Sequence, residues 1–242
     1  FVMMGLLIAA GDIGKDTFTA ANRLFSRLKG GLAVSTVGAN AVFAAVTGTS
    51  IASASIFTKV AVPEMIRHSY TPKFAVGVVA GSSVLGMLIP PSLLLIIYGV
   101  LTETSVGDLF IAGIIPGVLL ALAFVAAIYF MSVFTPKFVK QSEGDFAQDI
   151  DLVGENDTWK LLSPIVILMM IVLGGIYGGL FTPSEAGGVG TLGALIIGFV
   201  RKKLTIKKLW GVAMETGYVT SSICFLLISA QLYASMLTMT GI

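Results

Sequence analysis

Histidine and cysteine each occur once in the 242 residues, as His68 and Cys224. A single cysteine excludes an intrachain disulfide, and a single histidine excludes a histidine-based metal cluster. Charge is scarce too. Lys, Arg, Asp and Glu make up 12% of the chain, about half the share usual in soluble domains. The predicted membrane spans hold no buried Asp, Glu, Lys, Arg or His, which argues against a proton relay or a charged catalytic centre. Serine and threonine abound, yet no histidine accompanies them to activate a nucleophile. Metal-ligand spacings and phosphate-cradling glycine loops are also missing. These absences point away from an enzyme.

What is present is apolar. The chain is 56% hydrophobic with a mean hydropathy of +0.96, and it reads as an all-α integral membrane protein. Its 28 glycines suit helices that approach closely or break. The net charge of +2 says little, because placement of charge matters more than its sum in a membrane. A signal peptide is not visible. Both ends, Phe1 and Ile242, fall inside apolar runs, so the sequence reads as a fragment of a longer chain.

The stretch that organises the sequence is Gly86-Met-Leu-Ile-Pro-Pro-Ser92, in the middle of the apolar run Phe74 to Val100. That run is long enough to span a bilayer, which takes about 20 residues. Pro90 and Pro91 have no N–H to give to the carbonyls of Gly86 and Met87, and Ile89 before them is pushed from helical angles. Freed carbonyls in hydrocarbon need a partner from protein, water or an ion. The segment therefore predicts two half-helices around a non-helical joint, as in secondary transporters. A simple proline kink is the alternative.

Charge placement sets the topology. Residues 12–29 are amphipathic, with Ile13, Thr17, Ala21, Leu24 and Leu28 on one side, and suit a helix at the membrane surface or a plain connector. Residues 30–62 are apolar around a centre of hydroxyls and small residues, Thr47 to Ser55. They read as a straight span or as a re-entrant hairpin tipped near Gly48 to Ser50. Both flanks are basic (Lys15 to Lys29, then Lys59, Arg67 and Lys73), which favours the hairpin. Further spans are expected over 109–134, 161–181, 186–200 and 211–242. Residues 135–160, rich in Asp and Glu, form a solvated connector. With the hairpin in place all 15 Lys and Arg lie on one side, which the positive-inside rule makes cytoplasmic.

Hydroxyls and freed carbonyls are hard oxygen ligands, suited to a hard cation such as Na⁺. Half-helix N-termini suit an anionic substrate group. The tip residues Thr49, Ser50 and Ser53 are expected to meet the break Gly86 to Pro91 and hold Na⁺ there. Tight helix packing is the alternative use of these small residues. In Thr182-Pro-Ser-Glu185 the pattern predicts a helix start, with Thr182 or Ser184 as cap and Glu185 on the dipole.

Several motifs together resemble the large membrane subunit (DctM-like, M subunit) of tripartite ATP-independent periplasmic (TRAP) transporters. They are Gly174-Gly-Ile-Tyr-Gly-Gly-Leu-Phe-Thr-Pro-Ser-Glu-Ala186, Gly86-Met-Leu-Ile-Pro-Pro-Ser92 with Ile97-Tyr-Gly99, Gly48-Thr-Ser-Ile-Ala52, Val62-Pro-Glu-Met65, Tyr70-Thr-Pro72 and Leu109 to Gly117. The resemblance spans the chain in order. It implies an elevator-type importer related to the ion-transporter superfamily, built of inverted repeats that each supply a hairpin and a broken helix. Residues 1–134 would hold the first repeat's part, 135–160 the connector and 161–242 the start of a truncated second repeat. The second hairpin, broken helix and Na⁺ site would lie beyond Ile242.

The implied activity is Na⁺-coupled symport of an organic acid, such as a C4-dicarboxylate or sialic acid, across the bacterial inner membrane. A small Q-type membrane subunit and a periplasmic P-type binding protein are the implied partners, and Na⁺ is the coupling ion with no organic cofactor. The resemblance puts Na⁺ among Gly48, Thr49, Ser50, Ser53, Gly86, Met87, Ile89 and Pro91, and substrate near Ser50, Pro91 and Ser92. Two rival readings are a Na⁺-coupled carboxylate transporter without a binding protein and an ion channel.

Overall fold

The computed structural model describes residues 1–25, 30–140 and 155–240, the side chains of 155–158 and 160 excepted. Arg27, Leu28, Lys29 and most of the acidic connector (Glu143, Asp145, Asp149, Asp151) lie outside the described residues. Among the described residues the chain is all-helical, with one isolated bridge between Tyr70 and Lys140.

The order is α1 (Val2–Ala10), α2 (Ile13–Phe25), α3 (Gly31–Thr47), α4 (Ser50–Arg67), α5 (Pro72–Ser83), α6 (Leu85–Leu88), α7 (Leu93–Thr102), α8 (Val106–Phe134), α9 (Pro136–Val139), α10 (Glu155–Tyr177), α11 (Pro183–Val200) and α12 (Ile206–Thr240). Three of these, α8, α11 and α12, are long and apolar enough to cross a membrane. The bent pair α5–α6 with α7, turned by 41° at its break, makes a fourth.

Helix α3 is the axis of the molecule. It packs against α1, α2, α4, α5, α6, α8 and α10, and Leu32, Ala33, Val34, Val37, Ala39, Phe43, Ala44 and Val46 along it are buried. A helix apolar all round with small residues on every face can be surrounded in this way. α4 returns beside it, and Phe43 meets Phe57 edge to face, 5.6 Å between centroids. Edge-to-face pairs add about 0.5–1.5 kcal/mol to the burial itself.

Both open ends of this hairpin sit at the same end of the molecule. Gly30, before α3, packs on Ser132 and Ile128 near the end of α8. Beyond α4, the Thr71 N–H donates to the Val139 carbonyl (3.0 Å) and the Thr71 hydroxyl to the Phe138 carbonyl (2.6 Å). The Lys140 ammonium lies 5.3 Å from the Tyr70 ring centre. The tip reaches the level of Gly5, midway along α1, where a Cβ on Gly5 would stand 3.1 Å from Thr47 Cβ. Its neighbour Met4 touches Gly190 in the middle of α11. The hairpin tip therefore lies about level with the middle of α11.

Three sequence expectations are corrected here. The apolar side of α2 faces protein, not the membrane surface. Ile13, Thr17 and Ala21 are buried, and the helix packs on α3, α4 and α10, leaving Leu24 exposed. Its start is fixed by ion pairs, Asp16 with Arg201 and Asp12 with Lys203 (3.5 Å). The last helix begins at Ile206, ahead of the predicted 211. It also carries Glu215, so one acidic residue does lie within a long apolar helix, on an exposed position. The third concerns the connector, which holds helix at both ends: α9 at 136–139 and the first turns of α10 from Glu155.

At the start of α11 the predicted cap is present in full. The Thr182 hydroxyl accepts from the Glu185 N–H (3.3 Å), and Glu185 Oε2 accepts from the Thr182 N–H (2.8 Å). This reciprocal box satisfies two otherwise orphan donors.

Candidate functional site

The site is built where two interrupted helices touch. At the hairpin tip, α3 ends on Gly48 in the left-handed region (φ +63°), and Thr49 is extended before α4 starts at Ser50. At the break, α6 ends at Leu88, Ile89 to Ser92 are non-helical with a cis bond between Pro90 and Pro91, and α7 starts at Leu93.

Tip and break are joined backbone to backbone. The Leu93 N–H donates to the Gly48 carbonyl at 3.0 Å. A Cβ on Gly48 would lie 2.2 Å from the Pro91 oxygen, and one on Gly86 would lie 2.9 Å from the Thr49 carbonyl. Only glycine permits either approach, and at Gly48 only glycine accepts the φ without strain. From the far side α8 presses a small-residue face onto the break. A Cβ on Gly113 would meet the Leu88 oxygen, and one on Gly117 the Ile89 side chain, each at 2.9 Å.

Four helix ends therefore converge. The C-termini of α3 and α6 offer carbonyls, and the N-termini of α4 and α7 offer N–H groups. The Gly86 carbonyl has no backbone N–H at position 90 to accept, whereas the Ile89 N–H goes to Leu85 (2.8 Å). Ser92, fully buried, ties the two halves of the break together. Its hydroxyl donates to the Met87 carbonyl at 2.5 Å and accepts from the Leu95 N–H at 3.4 Å, capping α7. Thr49 does not use its side chain as a cap, and the Thr49 and Ser50 hydroxyls make no hydrogen bond among the described residues. No three His, Cys, Asp or Glu side chains gather among the described residues. The donor set is neutral oxygen, the chemistry of a hard cation.

Of the residues singled out in the sequence, Gly48, Thr49, Ser50, Gly86 and Pro91 meet at this junction. Ile89 sits at the break with its side chain on Gly117. Met87 is exposed, and its carbonyl already accepts from Ser92. The Ser53 hydroxyl is already engaged: it donates to Asn40 Oδ1 on α3. Asn40 in turn donates through Nδ2 to the Ser82 hydroxyl on α5 at 2.6 Å. All three side chains are fully buried. Asn40 was missed in the sequence. A lone amide inside a 33-residue apolar run was the available signal, because burying one without partners is costly.

The family model for the tripartite ATP-independent periplasmic transporter, DctM component, matches residues 1–242. The chain is 34% identical to the C4-dicarboxylate TRAP transporter large permease protein DctM of Pseudomonas aeruginosa, over 98% of this chain and 54% of that protein. It is 31% identical to the sialic acid TRAP transporter permease protein SiaT of Haemophilus influenzae, over 98% of this chain and 38% of that protein. With the ectoine TRAP transporter large permease protein TeaC of Halomonas elongata the identity is 32%, over 95% and 52% respectively. The chain spans about half the length, or less, of these relatives. With the family model covering every residue, the chain belongs to the DctM component family of tripartite ATP-independent periplasmic transporters.

Proposed function

We propose that this chain forms the part of a Na⁺-coupled symporter for an organic acid that holds its first Na⁺ site. The observation that carries the reading is the convergence of four helix ends between Gly48–Ser50 and Gly86–Ser92. Carbonyl-bearing ends attract a cation, and N–H-bearing ends attract a carboxylate. In this reading the Na⁺ ligands come from Gly48, Thr49, Ser50, Gly86, Ile89 and Pro91, with the carboxylate near Ser50, Pro91 and Ser92. Na⁺ travels with the substrate and is no resident cofactor.

The hairpin and broken helix move together as the elevator, with residues 1–134 in a first repeat and 161–242 opening an inverted second one. The basic end faces the cytoplasm of a bacterial inner membrane, as the positive-inside rule expects. A small membrane subunit and a periplasmic binding protein complete the transporter. Relatives named for C4-dicarboxylate, sialic acid and ectoine leave the choice of organic acid to experiment.

That experiment is uptake by the full-length protein with its small subunit in proteoliposomes, under an imposed Na⁺ gradient. A panel of labelled organic acids is run with and without the binding protein. Uptake needing both supports the proposal and names the substrate. Saturable uptake with Na⁺ alone moves the protein to the binding-protein-independent carriers. Uptake indifferent to Na⁺, or non-saturable flux, overturns it.

A further inference from the structure

Serine and threonine hydroxyls inside these helices have a habit. Thr17, Ser35, Thr36, Thr47 and Ser82 each donate to the carbonyl four residues earlier, at 2.6–3.0 Å. This back-bonding is the default for a hydroxyl in mid-helix. Ser53 departs from it. Four residues before Ser53 stands Thr49, whose carbonyl is the one that lies against Gly86 at the junction of tip and break. The Ser53 hydroxyl points instead to Asn40 Oδ1.

Asn40 is held for that task. Its Nδ2 is anchored 2.6 Å from Ser82 Oγ, and Ser82 donates onward to the Val78 carbonyl at 2.6 Å. The chain Val78–Ser82–Asn40–Ser53 thus runs from the broken helix through one arm of the hairpin to the other, entirely out of solvent. A buried network of this kind holds one arrangement because breaking any link strands a polar group.

We infer that Asn40 is a positioning residue for the cation site: it draws the Ser53 hydroxyl off the Thr49 carbonyl and leaves that oxygen's second lone pair available to the ion. This rests on the reading of the junction as a Na⁺ site. Without Asn40, the Ser53 hydroxyl falls back on Thr49 and competes with the cation. Ser53 is then a latent inhibitor of the site; its own removal strands Asn40 Oδ1 and lowers stability, but leaves the Thr49 oxygen open to the ion.

The test is Na⁺-dependent uptake by the full-length protein with its partner subunits in proteoliposomes, read as the half-saturating Na⁺ concentration and the maximal rate. Asn40→Ala raises half-saturating Na⁺ by about tenfold, the scale of one hydrogen bond. Ser53→Ala alone stays within about twofold of wild type, a change below that scale. Asn40→Ala/Ser53→Ala returns most of the way to wild type. A role in packing alone predicts the opposite, a double variant as poor as Asn40→Ala or worse, and that result overturns the inference. Where Asn40→Ala fails to fold, Ser82→Ala unseats the amide more gently. It gives a smaller rise, about threefold, again reversed by Ser53→Ala; no reversal there is equally fatal. Failure of the site reading itself is seen earlier, in wild-type uptake that ignores Na⁺. Wild-type Na⁺ dependence left unchanged by Asn40→Ala refutes only the role of Asn40.

Discussion

Gly48→Ala is the sharpest test of the junction. The added methyl would stand 2.2 Å from the Pro91 oxygen, more than 1 Å inside an ordinary contact of about 3.5 Å. Its neighbour is backbone, fixed by the Leu93 to Gly48 hydrogen bond, so no side-chain rotation relieves the overlap. The φ of +63° adds about 1 kcal/mol for a residue with a Cβ, and overpacking of this kind costs about 1–3 kcal/mol. A loss of about 2–4 kcal/mol in closing tip on break corresponds to a roughly thirty- to thousandfold fall in the closed population. The assay is Na⁺-dependent uptake in proteoliposomes, with size-exclusion profiles to confirm intact protein. Gly77→Ala is the control, since a Cβ there meets nothing within 4 Å. Expected is a folded Gly48→Ala protein with uptake near background beside a normal Gly77→Ala. Wild-type Na⁺ dependence in Gly48→Ala would refute the argument that tip and break must touch.

Ser92→Ala removes both the cap of α7 and the hydroxyl on the Met87 carbonyl. A loss of about 0.5–2 kcal/mol is expected, measured as a lower melting temperature, with Ser92→Thr retaining most of the stability. Gly117→Leu drives a side chain into Ile89, 2.9 Å from even a Cβ; the fraction of monodisperse protein falls sharply, whereas Gly174→Ala, facing open space, behaves as wild type. Asp16→Arg and Arg201→Asp each break an ion pair whose members are about a quarter exposed, at about 1 kcal/mol. The doubly exchanged protein recovers in a thermal melt, and failure to recover removes the pair as a fastener of α2.

Much of this fold was legible because it rests on rules with few exceptions. Two adjacent prolines cannot continue a helix, so a break was expected within Gly86 to Ser92; the helix holds through Leu88 and only Ile89 to Ser92 leave it. The expectation that all fifteen basic residues share one side called for residues 30–62 to turn back, and α3 and α4 do turn at Gly48. Thr182 and Glu185 carried their own spacing. What was hidden depends on long-range pairing. Asn40 finds partners 13 and 42 residues away, a distance at which local periodicity is silent. The apolar stripe of α2 looked the same whether lipid or protein would cover it. The fate of the Met87 carbonyl turned on one serine rotamer. Proline arithmetic counted that oxygen as freed, and Ser92 had already taken it up.

Helix α12 has a length that sets its posture. Its 35 residues extend about 52 Å, against a hydrocarbon slab of about 30 Å. Even at a steep inclination of about 40°, some 26 residues suffice to cross. A crossing by α12 therefore leaves at least about nine residues in the aqueous boundary. Lys207 and Lys208 lie in the first turn and Trp210 follows, so the surplus belongs at that end. Measured inward from Ile206, nine residues reach Met214. In such a crossing Glu215 falls at or outside the waterline, where its carboxylate keeps its hydration and the helix beneath it can be wholly greasy.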